Sequence, residues 1–212
     1  MDDENKQEQF LDEVFGGKKP KIKNHSMDSF EKVWKPITPE QETELQRQSD
    51  EVFRSLTLDE KFAIGDYTQE LYRPINQYLY GNYSLNEEYE KIITFIDAAI
   101  SKFILQYDLF VVYSGTSEKH YLDWECGNIK TLKAYLSTSI NKFVAQMYFN
   151  NIRMQCKSPL LVTIKLPKGT PCLYIGTNTE YSTVEYELLL GRNLKYNILE
   201  KNNDKMLVEV IL

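Results

Sequence analysis

The chain reads as an α+β protein, a helical half followed by a β half. Two observations predict this. Three helix-start signatures fall before residue 90: Thr38-Pro39-Glu-Gln41, Thr57-Leu-Asp-Glu60 and Ser84-Leu-Asn-Glu87. Beyond Leu109 the pattern changes to β-branched and aromatic runs, with no alternation of strands and helices that would indicate βαβ units.

Each element follows from local chemistry. Residues 1–25 are polar and charge-rich around Gly16-Gly17-Lys-Lys-Pro20, the composition of a flexible N-terminal arm, and the folded domain is expected over 26–212. A short helix near Phe10–Phe15 and a turn or two over Asp28–Trp34, stopped by Pro36, are the only order expected there. Thr38 caps a helix whose Leu45, Val52, Phe53 and Leu56 recur at helical spacing. Thr57 opens a second helix toward Asp66. Tyr67, Leu71, Ile75 and Leu79 form the stripe of a third, with a kink at Pro74 and an end at Gly81. The box at Ser84 precedes a fourth, whose buried stripe runs from Tyr89 through Ile93, Ile96 and Ile100 to Phe103. Strands are expected at Leu109–Tyr113 (bounded by Ser114-Gly115), Tyr135–Ile140, Leu160–Leu166, Cys172–Ile175, Val184–Leu190, Leu194–Glu200 and Lys205–Leu212. A short helix is expected over Asn141–Asn151.

Composition excludes several functions. A net charge of −6 opposes broad affinity for nucleic acid or an anionic membrane surface. No apolar run reaches the length of a membrane span. The acidic start Met1-Asp-Asp-Glu-Asn5 is not a secretory signal. Three scattered cysteines, Cys126, Cys156 and Cys172, give neither zinc spacing nor a disulfide framework. Two histidines, His25 and His120, are too few for a histidine metal site, and no partner residues around His120 suggest a nucleophilic triad. No glycine-rich phosphate loop occurs, so a nucleotide is not held in a Rossmann or P-loop manner.

The chemistry concentrates in Tyr181-Ser-Thr-Val-Glu-Tyr-Glu-Leu-Leu-Leu-Gly191. In a strand, Glu185 and Glu187 share one face, while Tyr186, Leu188 and Leu190 point to the buried one. Two adjacent carboxylates repel, so one is expected to titrate high. The plainer alternative is a polar strand end with two solvated glutamates. Tyr72 and Asn76, four apart on the third helix, share a second face, where packing at the rim and backbone bonding are the ordinary roles.

Four features in order carry a resemblance: Asp66-Tyr67-Thr68 with Tyr72, Ile75 and Asn76; Val111-Val-Tyr-Ser114-Gly115; Leu136-Ser137-Thr138-Ser139-Ile140; and Leu166-Pro-Lys-Gly-Thr170 followed by Val184-Glu-Tyr-Glu-Leu-Leu-Leu190. From about Met27 to Leu212 the chain resembles the bacterial mono-ADP-ribosyltransferase exoenzymes, most of all the catalytic domains of actin-modifying binary toxins of the iota-toxin type. The resemblance implies a helical lobe packed on a two-sheet β core, with NAD bound in the cleft as a substrate and no metal. It implies transfer of ADP-ribose to an arginine of a target protein, a secreted toxin-like role, and a carrier or translocation protein as a further partner. It assigns Glu187 to the oxocarbenium-like ribose, Ser137 to holding Glu187, and Glu185 to the acceptor arginine. Tyr67, Tyr72, Asn76, and Tyr148 or Phe149 line the NAD cleft.

The chain departs from that family at three points. Ser114 stands where an arginine pairs with the NAD diphosphate, a loss worth about 1.5–3 kcal/mol. Ala134 replaces a polar residue three before Ser137, and Tyr181 sits one residue further from Glu185 than the family's acceptor-loop aromatic. Arg73 and Arg153 are the candidate replacement cations. Two alternatives follow: a catalytically impaired member acting as a protein-docking module, and an NAD glycohydrolase.

Overall fold

The computed structural model describes residues 37–212 apart from Leu85, Asp108, Lys119, His120, Cys156, Lys157, Thr177 and 180–184. The described residues fall within one compact unit, Val33–Leu212. The expected arm, the turn before Pro36, His25, His120, Cys156 and Tyr181 lie outside them.

Four helical segments come first. α1 (Pro39–Ser55) and α2 (Leu58–Asp66) both open with complete capping boxes, Thr38 with Gln41 and Thr57 with Glu60. A π-helical turn, Tyr67–Leu71, joins α2 to α3 (Tyr72–Leu79). Pro74 has no N–H to return to the preceding turn, so the regular ladder cannot run through this point, and the expected kink takes the form of a wide turn. α4 (Glu87–Ser101) is capped by Asn86, whose side chain accepts from the Tyr89 N–H, so the cap lies two residues beyond Ser84. Lys102, just past α4, pairs with buried Glu60 of α2 at 2.7 Å. Burial pushes the Glu60 carboxyl up, but the Lys102 ammonium and the Thr57 amide outweigh it and hold it below the ordinary value.

Then come β1 (Leu109–Ser117), β2 (Ile129–Leu132), β3 (Leu136–Ser139), α5 (Lys142–Gln155), β4 (Pro159–Pro167), β5 (Cys172–Tyr174), β6 (Glu187–Leu190), β7 (Leu194–Lys201) and β8 (Lys205–Ile211). They form one mixed sheet in the order β2-β7-β8-β4-β1-β3-β6-β5, and among the described residues only β4 and β8 pair parallel. The two sheets implied by the family resemblance are here two ladders, joined between β1 and β3 by a single pair, Tyr113 with Ser139. The main core lies between the helices and the sheet, with Leu45, Ile64, Ile75 and Ile96 meeting Ile164, Leu173 and Leu188.

Three expectations need correction. β2 is an edge strand that the sequence reading did not include. Gly115 does not bound β1 but sits inside it, where a Cβ would lie 2.2 Å from the Ala145 carbonyl and 2.5 Å from the Phe149 nitrogen. Glycine is needed there because α5 packs directly on the strand. Finally, β6 begins at Glu187, not Val184.

Candidate active site

The strand wall is built by register. β3 and β6 pair antiparallel with Ser137 opposite Leu189 and Ser139 opposite Glu187. Glu187 is therefore the diagonal, same-face neighbour of Ser137. Three consecutive hydroxyls spend themselves on the opposing segment. Ser137 Oγ donates to Glu187 Oε1 at 2.5 Å, Thr138 Oγ1 to the Leu188 carbonyl at 2.5 Å, and Ser139 Oγ to the Glu185 carbonyl at 2.6 Å. Ser139 Oγ also accepts the Asn141 N–H, and the Ile175 N–H holds the Glu187 carbonyl from the β5 side. The Glu187 backbone is thus fixed from both flanks.

The Glu187 side chain is only 5 % exposed. Burial pushes its carboxyl up to about 7; the Ser137 hydroxyl opposes this, and the nearby Glu185 charge adds to it. Charge repulsion, the cause expected from the sequence, is a contributor, and desolvation is the main one.

Glu185 reaches the site differently from the way strand alternation implies. Tyr186 has φ of +48°, in the left-handed region that a tyrosine seldom adopts. Glu185 and Tyr186 form a turn ahead of β6, so the two glutamates do not share a strand face. Instead the Tyr148 hydroxyl, from α5, donates to Glu185 Oε1. Burial, that bond, and the charges of Glu185 and Glu187 push the Tyr148 phenol up, which puts all three groups in one electrostatic neighbourhood.

The helical wall faces them. Asn76 accepts from the Tyr67 hydroxyl at 3.3 Å and donates to the Tyr135 carbonyl at 3.3 Å. Tyr67 is buried, edge-on to Tyr135 with ring centroids 5.4 Å apart. Burial pushes its phenol up, the Asn76 bond opposes that, and the Glu187 charge adds to it, so this wall stands near the acidic strand. Tyr72 is at the exposed rim, where the Arg73 Nε–H donates to its hydroxyl at 2.8 Å.

Other sequence candidates lie elsewhere. Phe149 packs with Tyr113, Ala145 and Leu161 between α5 and the sheet, so of the two aromatics Tyr148 is the one at the acidic residues. Arg153 is exposed in the last turn of α5, five residues or about 7.5 Å of helix beyond Tyr148. Ser114 is buried, and its hydroxyl donates to the Ser137 carbonyl at 3.1 Å. Ala134 is buried. Two surface grooves, of about 320 and 510 Å³, run along α1 and include neither glutamate. Among the described residues no His, Cys, Asp and Glu cluster suits a metal ion, and no helix is long and apolar enough to cross a membrane.

The model of the ADP-ribosyltransferase exoenzyme family matches residues 46–211. The chain belongs to that family. It is similar to an NAD(+)–arginine ADP-ribosyltransferase, EFV, of Enterococcus faecalis, with 36 % identity over 165 residues, 74 % of this chain and 32 % of the relative. The chain thus spans about a third of that relative's length. Among solved structures it is similar to the C3larvin toxin of Paenibacillus larvae, an ADP-ribosyltransferase, at 26 % identity and TM-score 0.58 over 78 % of this chain and 94 % of that one. The enzymatic component C2-I of the Clostridium botulinum C2 toxin shares the fold at 16 % identity and TM-score 0.61, over 78 % of this chain and 46 % of that one.

Within this exoenzyme domain, two contributors escaped the sequence reading. Ser139 was seen only as part of Ser-Thr-Ser, yet it anchors the Glu185 backbone. Its spacing of two from Ser137, which puts both hydroxyls on one strand face, was the available signal. Tyr135 closes the base of the helical wall through Asn76 and carries no motif of its own.

Proposed function

We propose that this chain transfers ADP-ribose from NAD to an arginine side chain of a target protein. The observation that carries the reading is the buried Glu187 carboxyl held by Ser137, with Glu185 beside it on a turn. Cleavage breaks the bond between the nicotinamide nitrogen and the ribose C1′. The electron pair leaves with nicotinamide, and positive charge develops on the sugar. A carboxylate fixed in a low-dielectric wall stabilises that charge without reorganising, the effect that dominates many active sites. Glu187 fills this role, and its hydrogen bond to Ser137 keeps it aimed. Glu185, less buried and reached by Tyr148, suits a guanidinium: it can pair with it and take its proton as the nitrogen attacks C1′. Tyr72 and Asn76 supply the opposite wall.

Two cationic sites could meet the diphosphate. Arg73, held at the rim by Tyr72, is the better placed, and Arg153 stands further along α5. One observation favours the docking-module alternative: the Ser114 hydroxyl is spent on the Ser137 carbonyl, so that position offers the diphosphate nothing. The C3larvin toxin among the structural relatives supports a role outside the producing cell, and a carrier protein as a further partner follows from the family resemblance alone.

The deciding experiment measures nicotinamide release and ADP-ribose transfer to agmatine, a small guanidine. The wild-type protein should do both, and Glu187→Gln should do neither. Equal background from the two proteins would leave the docking reading in its place.

A further inference from the structure

We propose that the first two turns of α5, together with Tyr186, form an apolar docking collar around Glu185 that selects polypeptides whose acceptor arginine is flanked by apolar side chains. This deepens the transfer reading above and rests on it.

The collar follows from connectivity. The Ile140 N–H donates to the Tyr186 carbonyl at 3.1 Å. The next residue, Asn141, donates its N–H to Ser139 Oγ, the same hydroxyl that holds the Glu185 carbonyl. Asn141 then caps α5 by accepting the Phe143 N–H at 2.9 Å. The chain entering α5 is thus laid against the Glu185–Tyr186 turn. Two turns later Tyr148 returns to bond the Glu185 carboxylate itself. Phe143 and Met147 lie four apart on one helix face, directed away from the sheet that Ala145 and Phe149 pack against.

The side chains are apolar and open. Phe143 is 54 % exposed and Met147 62 %. Tyr148 and Tyr186 are also exposed and carry the surface toward Glu185. Single exposed apolar residues are common, but Phe143 and Met147 stand on the same two turns of α5 that carry Tyr148 to Glu185, and Tyr186 adjoins that carboxylate in sequence. The charge complement fixes the occupant: a cation at the centre, to match Glu185, with apolar flanks to cover Phe143 and Met147. A methionine adapts its shape to different flanks, which suits a binder of varied sequences.

The test uses two peptides of equal length, one with arginine between leucines and one with arginine between glycine and serine, with agmatine as the small control. The wild-type protein is expected to modify the leucine-flanked peptide with kcat/KM about tenfold higher, the scale set by burying one more apolar group. In the double variant Phe143→Ser, Met147→Ser the two peptides should become equal, with the agmatine rate unchanged. The wild-type preference can be read without any variant, so a folding failure does not block the test. A wild-type ratio near one overturns the collar, as does a ratio that survives the double variant. Parallel loss on agmatine also overturns it, because α5 would then serve the chemistry itself. If the double variant turns a dimer into a monomer in sedimentation while the peptide preference persists, the face belongs to a second copy. If agmatine is never labelled, the transfer reading fails and the collar falls with it.

Discussion

On the strand wall, Ser137, Thr138 and Ser139 hold residues 185–188 by bonds of 2.5–2.6 Å. On the helical wall, one amide, Asn76, holds two tyrosines by bonds of 3.3 Å. The first set is aligned by backbone register, which brings each hydroxyl beside its acceptor on the paired segment. The second depends on a side chain mounted beyond a π-helical turn, where the regular ladder is interrupted. The strand wall is therefore held by more and shorter hydrogen bonds than the helical wall.

The largest expected effect lies on the strand wall. Glu187→Gln should lower nicotinamide release about a hundredfold to a thousandfold. Tyr67→Phe, which removes only the hydroxyl bonded to Asn76, should cost far less in the same assay. Comparable losses would erase the contrast between the walls.

Next in size is the cost of keeping Glu187 charged. Its folded pKa, about 7, lies above the ordinary 4.5, so the folded state binds the proton more tightly. That stabilisation is complete below pH 4.5 and is lost as pH rises through 7. By pH 8 the buried carboxylate costs up to about 3 kcal/mol relative to its protonated form. Urea unfolding should show Glu187→Gln the more stable protein at pH 8, and the two proteins should converge below pH 4.5. Activity should run the opposite way, with kcat/KM of the wild type rising through pH 7 as the carboxylate forms.

A smaller change is expected at the rim of the helical wall. Arg73→Ala should raise KM for NAD about tenfold and leave kcat nearly unchanged, the pattern for a diphosphate contact made before and during reaction. If Arg153→Ala gives that pattern instead, the diphosphate is held from α5.

The finest comparison is of stability alone. Ser139→Ala should cost about 1.5 kcal/mol, and Tyr67→Phe, which keeps the ring and removes one long bond with its donor, about 0.5 kcal/mol. Equilibrium unfolding gives both values, and the reverse order would contradict the difference between the two walls.

The legible parts of the fold are those whose signals are local. Thr38 and Thr57 announce their helices because a cap needs only four residues. β4 and β8 announce themselves as apolar, β-branched runs. β2 does not, because three of its four residues are not buried and it lies at the sheet edge. The +48° φ at Tyr186 leaves no mark in composition, so Glu185 was assigned to a strand it precedes. Gly115 looked like a strand end because its need for space comes from α5, about thirty residues away in sequence. The site was legible mainly through family resemblance. Ser137 and Glu187 meet through cross-strand register, which no local spacing encodes. The raised Glu187 pKa was expected from a neighbouring charge, whereas its main source is burial, a property of the whole fold.

The seam between the two ladders has a mechanical consequence. One backbone pair, Tyr113 with Ser139, and one hydroxyl bond, Ser114 to Ser137, cross it. Both ladders also bury their side chains in one shared apolar core, so the seam is held from beneath more than by its own backbone bonds. Ser137 and Glu187 lie on the same side of it, in β3 and β6, and the residues entering α5 are bonded to that side as well. The carboxyl–hydroxyl couple therefore owes its alignment to one ladder alone and is indifferent to how sparsely the two ladders are stitched.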